Sequence, residues 1–137
     1  MAGFLTPLRL EYLDGHLWKV IEPFEYCVGS EFSTVKVVIP TGFFTDFASV
    51  PRVLWSLLPP TGPYGKAAVV HDWLYQNPEL LDYSEPCDPM PLSRSDCDTV
   101  FFEAMGVLSV GNWTRGAVYS GVRVGGWHPW NSYRSRI

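Results

Sequence analysis

Twelve prolines and twelve glycines punctuate a chain of 137 residues. Proline lacks a backbone donor and clashes inside a helix, and glycine costs backbone entropy, so both interrupt regular elements. Their combined share exceeds the average of about 12%, which argues against a bundle of long helices. Hydrophobic residues make up 47% and charged residues 18%, too apolar a balance for a disordered chain. A chain of this length suits one domain and buries roughly two-thirds of its unfolded surface. The expectation is a single α+β domain: β-rich over 1–50, helical over 60–123, with an aromatic, basic tail over 124–137.

The order of local signals supports that class, because strands come first and helices later. Leu8 to Leu13 and Leu17 to Ile21 flank Asp14-Gly15, a two-residue hairpin signal. Phe24 to Val28 and the β-branched Thr34 to Ile39 continue an antiparallel meander of hairpins, closed by Pro40-Thr41-Gly42. Pro59 to Pro63 is a rigid loop, and Tyr64 to Gln76 has helical periodicity ended by Asn77-Pro78. Residues 77–91 read as a polar, Pro-rich insertion. Ser93 and Asp96 form a capping-box signature for a helix reaching Met105 and stopping at Gly106. A third helix spans Trp113 to Val122 and breaks at Gly125-Gly126. About three helices are therefore expected.

Charge is skewed along the chain. Residues 1–105 hold all 14 acids against 6 bases, whereas 106–137 hold four arginines and no acid. The net charge of −4 argues against a dedicated nucleic-acid binder. The tail's Trp127, Trp130 and Arg134 are typical interface anchors and suit a protein partner or a second copy, or they fold back over the core. No apolar run is long enough to span a membrane. The first residues lack the layout of a signal peptide, so the expectation is a chain that is not secreted by that route. Cys27, Cys87 and Cys97 are too few, and wrongly spaced, for a disulfide framework or a usual structural zinc site.

One place concentrates polar chemistry in apolar surroundings. Ala67 to Tyr75 reads AAVVHDWLY, and mid-helix polar groups among Val and Trp are costly to bury unless paired. On the next helix Asp98 shares the apolar stripe with Phe101, Phe102 and Met105. His71 is its obvious partner, so the two helices are expected to pack together. As a catalytic pair, Asp98 orients His71, whose other nitrogen activates water. Asp72 points about 100° away around the helix and serves another neighbour, such as a divalent cation. Asp46, between Phe44 and Phe47, is a second candidate ligand, or else Asp46 or Ser49 caps a short turn before Pro51. Arg52 and Arg94 are candidates to pair with these carboxylates or to hold an anionic group. The bland alternative is a polar staple between two helices. Geometry discriminates: catalysis needs the second His71 nitrogen to face an open pocket, and a sealed pair is structural.

The ordered motifs G-x-x-T-D-F-A-S-V-P-R, P-P-x-G-x-Y-x-x-A-A-V-V-H-D-W-L-Y and R-S-D-C-D-T-V-F-F-E-A-M cover Gly42 to about Arg123 with the closing YSGVR. They resemble an uncharacterised phage and prophage family, domain of unknown function 1353. That resemblance implies a phage or prophage source, a place in the virion or host cytoplasm, and other virion or tail proteins as partners. It brings no activity with it. More locally, H-D-x-x-Y followed by D-x-x-F is similar to the active-site helices of phospholipases A2. That similarity implies His71 as general base, Asp98 as its orienting carboxylate, Asp72 as a calcium ligand and Tyr75 as support. The Gly-rich calcium loop of those enzymes is absent, and Thr61 to Gly65 is the nearby loop. Two functions are thus expected in competition. One is a phage-encoded hydrolase of a lipid ester or cell-envelope bond, with a divalent cation (calcium or zinc). The other is a non-catalytic virion or tail-assembly protein.

Overall fold

In the computed structural model, residues 3–15, 17–29, 34–47, 49–56, 65–84 and 89–135 are described. The expected loop 59–63, His16, Ala48, Cys87 and Arg136 lie outside them. The chain divides into two compact units, one of strands (1–46 and 79–91) and one of helices (47–78 and 92–137). Antiparallel strands lead and helices follow, an α+β fold.

Among the described residues the strand unit holds two sheets. β2 (Leu10–Asp14), β3 (Leu17–Val20) and β6 (Phe44–Thr45) form one, in the order β2-β3-β6. Asp14 itself pairs with Leu17, and Gly15 takes the positive φ of 57° that a tight reversal needs. β1 (Gly3–Phe4), β4 (Phe24–Cys27), β5 (Val35–Ile39), β7 (Glu79–Asp82) and β8 (Pro89–Pro91) form the other, antiparallel throughout. Its interior is Phe24, Tyr26, Val37 and Ile39, all buried, with Phe4 packed on Phe24 and Tyr26. The segment 77–91, expected as an insertion, supplies the hairpin β7–β8 that completes this sheet. Its prolines disguise the pairing. Pro89 and Pro91 sit on an edge strand, where a missing donor is tolerated and further pairing is discouraged.

The helical unit is built around α1 (Gly65–Gln76), buried on nearly every side. A helix apolar all round belongs in a core, and α1 packs against both α2 (Arg94–Val107) and α4 (Trp127–Arg134). The expected packing of the H-D-x-x-Y helix on the D-x-x-F helix is present. α2 starts on the Ser93–Asp96 capping box: the Ser93 hydroxyl accepts from the Asp96 N–H at 3.1 Å, and the Asp96 carboxylate accepts from the Ser93 N–H at 3.0 Å. α3 (Asn112–Gly125) follows and packs on α2. α4, a fourth helix, occupies the expected tail. Its aromatic spacing conceals helical contacts with α1.

Candidate functional site

Asp98 is the centre of the helical unit's polar chemistry. Its side chain is fully buried, and its Oδ1 accepts from the Tyr75 hydroxyl at 2.7 Å and lies 2.7 Å from His71 Nε2. Oδ2 accepts from Arg123 Nη1 at 2.7 Å, with Arg94 Nη1 at 3.6 Å. Arg94 also donates to the carbonyls of Val122 and Arg123, each at 3.1 Å. One carboxylate therefore links α1, α2 and α3. Helical spacing achieves this: His71 and Tyr75 are one turn apart on α1, as are Arg94 and Asp98 on α2.

His71 is as buried as Asp98, and its other nitrogen, Nδ1, lies 3.0 Å from Ser49 Oγ. Ser49 is buried too. It sits in a turn closed by the Val50 N–H donating to the Phe47 carbonyl at 3.2 Å. Phe47 has a φ of 59°, an uncommon and strained value for a bulky residue. The Trp55 indole N–H donates to the Val50 carbonyl at 3.0 Å and pins the turn. The expected cap role of Ser49 is not what the structure has: the short 3-10 turn Arg52–Leu54 starts at Pro51 with no side-chain cap. Sequence reasoning missed Ser49 as a partner of His71. The signal was a lone hydroxyl between Phe47 and Val50, both buried.

Burial lowers the His71 pKa, and the pull of Asp98 in the opposite direction does not overcome it. Although 2.7 Å is ion-pair distance, the imidazole is therefore neutral at pH 7. Its Nε2–H donates to Asp98, and its Nδ1 accepts from the Ser49 hydroxyl. Burial pushes the Asp98 carboxyl up, but the bonds from His71, Tyr75 and Arg123 prevail and hold it below the usual carboxylate range. Burial, then Asp98, raises the Tyr75 hydroxyl. Burial pushes the neighbouring Cys97 thiol up to about 12, with Asp98 and Asp96 adding to it. Native protein at neutral pH is therefore expected to leave Cys97 unalkylated, against full modification after denaturation. Peptide mass spectrometry with and without denaturant checks this, since the thiolate is the reactive form.

The other predicted residues scatter. Asp72 is buried and accepts from the Tyr133 hydroxyl at 3.2 Å and from Gln76 at 3.3 Å. Asp46 is exposed and belongs to the strand unit. Among the described residues, no three His, Cys, Asp or Glu side chains converge on a common point. Both Asp72 oxygens thus accept from protein donors within the helical unit. Arg52 is exposed and lies over the Trp55 ring at 5.6 Å. In α4, Trp130 meets Tyr75 edge-on at 5.3 Å, and Arg134 donates to the Tyr75 and Gln76 carbonyls. Both are thus engaged within their own unit, whereas Trp127 is exposed. A hollow of about 250 Å³ lined by Thr99, Phe102 and Tyr119 includes none of His71, Ser49 and Asp98.

Gly126 closes the cluster from the α3–α4 corner. A Cβ there would collide with the Tyr75 hydroxyl, the Val122 carbonyl and Arg94. Its φ of −73° suits any residue, so an unobstructed Gly→Ala change would gain about 0.4–1 kcal/mol. Gly126→Ala is instead expected to lose about 1–3 kcal/mol by overpacking. Urea unfolding of the two proteins measures the sign.

Fold and cluster together define an α+β protein whose helical unit is organised by a buried, multiply bonded carboxylate. The sequence matches the family described as Protein of unknown function (DUF1353) over residues 18–122, and the chain belongs to that family. It is also similar to the uncharacterized protein y4jT of Sinorhizobium fredii (strain NBRC 101917 / NGR234), 30% identical over 87 residues. That match covers 62% of this chain and 22% of the relative's length. No solved structure matches the chain.

Proposed function

We propose that the chain is a phage- or prophage-encoded virion component, associated with the tail, and that its His71–Asp98 cluster is a structural brace without chemistry of its own. One observation carries the brace. Both imidazole nitrogens and both carboxylate oxygens face protein partners, and neither side chain is exposed. Such a pair has no imidazole nitrogen free to activate water directly. The motif resemblance to a phage family, and a charge-poor, aromatic composition, support the virion assignment. Mass spectrometry of purified virions tests it. A fixed copy number is expected, and absence from virions overturns it.

A second reading rests on a specific observation: Ser49, His71 and Asp98 stand in the hydrogen-bonded order of a serine-hydrolase triad. In that reading Ser49 Oγ attacks the carbonyl of a lipid or envelope ester and its proton passes to His71 Nδ1. His71 gives that proton to the departing alkoxide, which leaves as the alcohol; water then attacks the acyl-enzyme, its proton returning through His71 to Ser49 Oγ, and releases the acid. A fluorophosphonate probe separates the readings. Stoichiometric adduct on Ser49, abolished by His71→Ala, would establish the triad, whereas the brace predicts no adduct.

A further inference from the structure

We infer that the protein binds a second copy of itself head to tail, the strand unit of one copy meeting the helical unit of the next. The first observation is electrostatic. The segments 1–46 and 79–91 carry ten acids and three bases, a net −7, while 47–78 and 92–137 carry four acids and seven bases, a net +3. The modest overall −4 thus hides two units of opposite sign. Summed charge of this kind steers association and selects orientation.

The second observation is that each unit leaves apolar side chains in water. In the three-stranded sheet, Glu11, Lys19 and Phe44 oppose one another across the strands and share a face, with Leu17 two residues before Lys19. Trp18, Val20 and Thr45 point the other way and are half-buried or buried. On the outer face Phe44 is 53% and Leu17 37% exposed, next to the acids Glu11 and Asp14. In the helical unit, Trp113 and Val124 are 76% and 77% exposed. They are three helical turns apart on α3, so one stripe carries both, with exposed Ser120 between them. Clustered exposed apolar groups mark interaction surfaces. Opposite net charges on the two units favour unlike over like pairing. Joined head to tail, the copies make a heterologous contact, the type that generates rings or filaments. It does not depend on whether the His71–Asp98 cluster is catalytic.

Sedimentation velocity of the full chain tests this with two variants. Phe44→Thr removes the strand anchor with a good strand former, and Trp113→Glu places an acid in the first turn of α3, where the helix dipole favours it. Wild type is expected to form oligomers that weaken at least about tenfold from about 0.1 M to about 1 M salt as screening shortens. Each variant alone is expected to be a folded monomer by circular dichroism. Mixed in equal amounts, the two are expected to form a dimer and nothing larger, because one intact strand face meets one intact helix face. Three outcomes overturn the inference: a monomeric wild type at both salt concentrations, a variant that associates like wild type, or a mixture that stays monomeric.

Discussion

Asp98→Ala is expected to lower stability by about 3–5 kcal/mol, the usual cost of removing one partner from a buried charged network. For a protein of this size that is a fall of about 10–15 °C in Tm. The size of the effect follows from what the carboxylate satisfies. His71, Tyr75 and Arg123 all approach it at 2.7 Å, and the bond to Arg123 joins α3 to α2. Without it, the His71 N–H and the Tyr75 hydroxyl are left buried and unpaired, and the half-buried Arg123 guanidinium loses its acceptor. Arg123→Gln is expected to cost less. Its side chain is 33% exposed, so water replaces part of the lost bond, and Arg94 remains 3.6 Å from the carboxylate. Guanidinium unfolding of the three proteins gives the ranking. A loss below about 1 kcal/mol for Asp98→Ala would mean that the cluster is not the brace of the unit.

The residues that make this brace differ in how far the sequence exposes them. His71 and Asp98 are legible because each interrupts an apolar helical stripe, and a buried polar group demands a partner. The Ser93–Asp96 capping box and the α1 stop at Asn77-Pro78 are local signals and appear where expected. Arg123 was visible only as one of the four arginines in the acid-free stretch 106–137, because nothing local says that it reaches 25 residues back to Asp98. Ser49 was obscured by a turn whose geometry depends on Phe47 adopting a positive φ, which no propensity predicts. The β7–β8 hairpin was hidden because Pro89 and Pro91 read as breakers, although an edge position tolerates them. The tail was legible as aromatic and basic but not as a helix. Its order comes from Trp130, Tyr133 and Arg134 contacting α1, which is tertiary packing rather than local preference.

The neutral state of His71 gives stability a pH dependence of defined sign. In the unfolded chain His71 titrates near its ordinary value of 6.5, while burial places its folded value lower. Above that ordinary value neither state holds the proton, and the contribution of the neutral imidazole is complete. As pH falls through 6.5, the unfolded state binds a proton that the folded state refuses, so stability declines toward the folded value. One such proton corresponds to a slope of at most about 1.4 kcal/mol per pH unit. Asp98 acts in a separate window. Its folded value lies below its ordinary 3.8, so its stabilisation is intact above 3.8 and is lost as pH falls through the folded value. Between pH 5 and 7 the contribution of His71 is therefore read from the difference between wild type and a variant at position 71. His71→Gln is expected to be less stable than wild type at pH 7 but to lose less on acidification, so the two curves converge toward pH 5. Urea unfolding at half-unit pH steps tests this. A gap between the two curves that widens as pH falls from 7 would show instead that His71 carries its proton in the folded protein and that the pair is an ion pair.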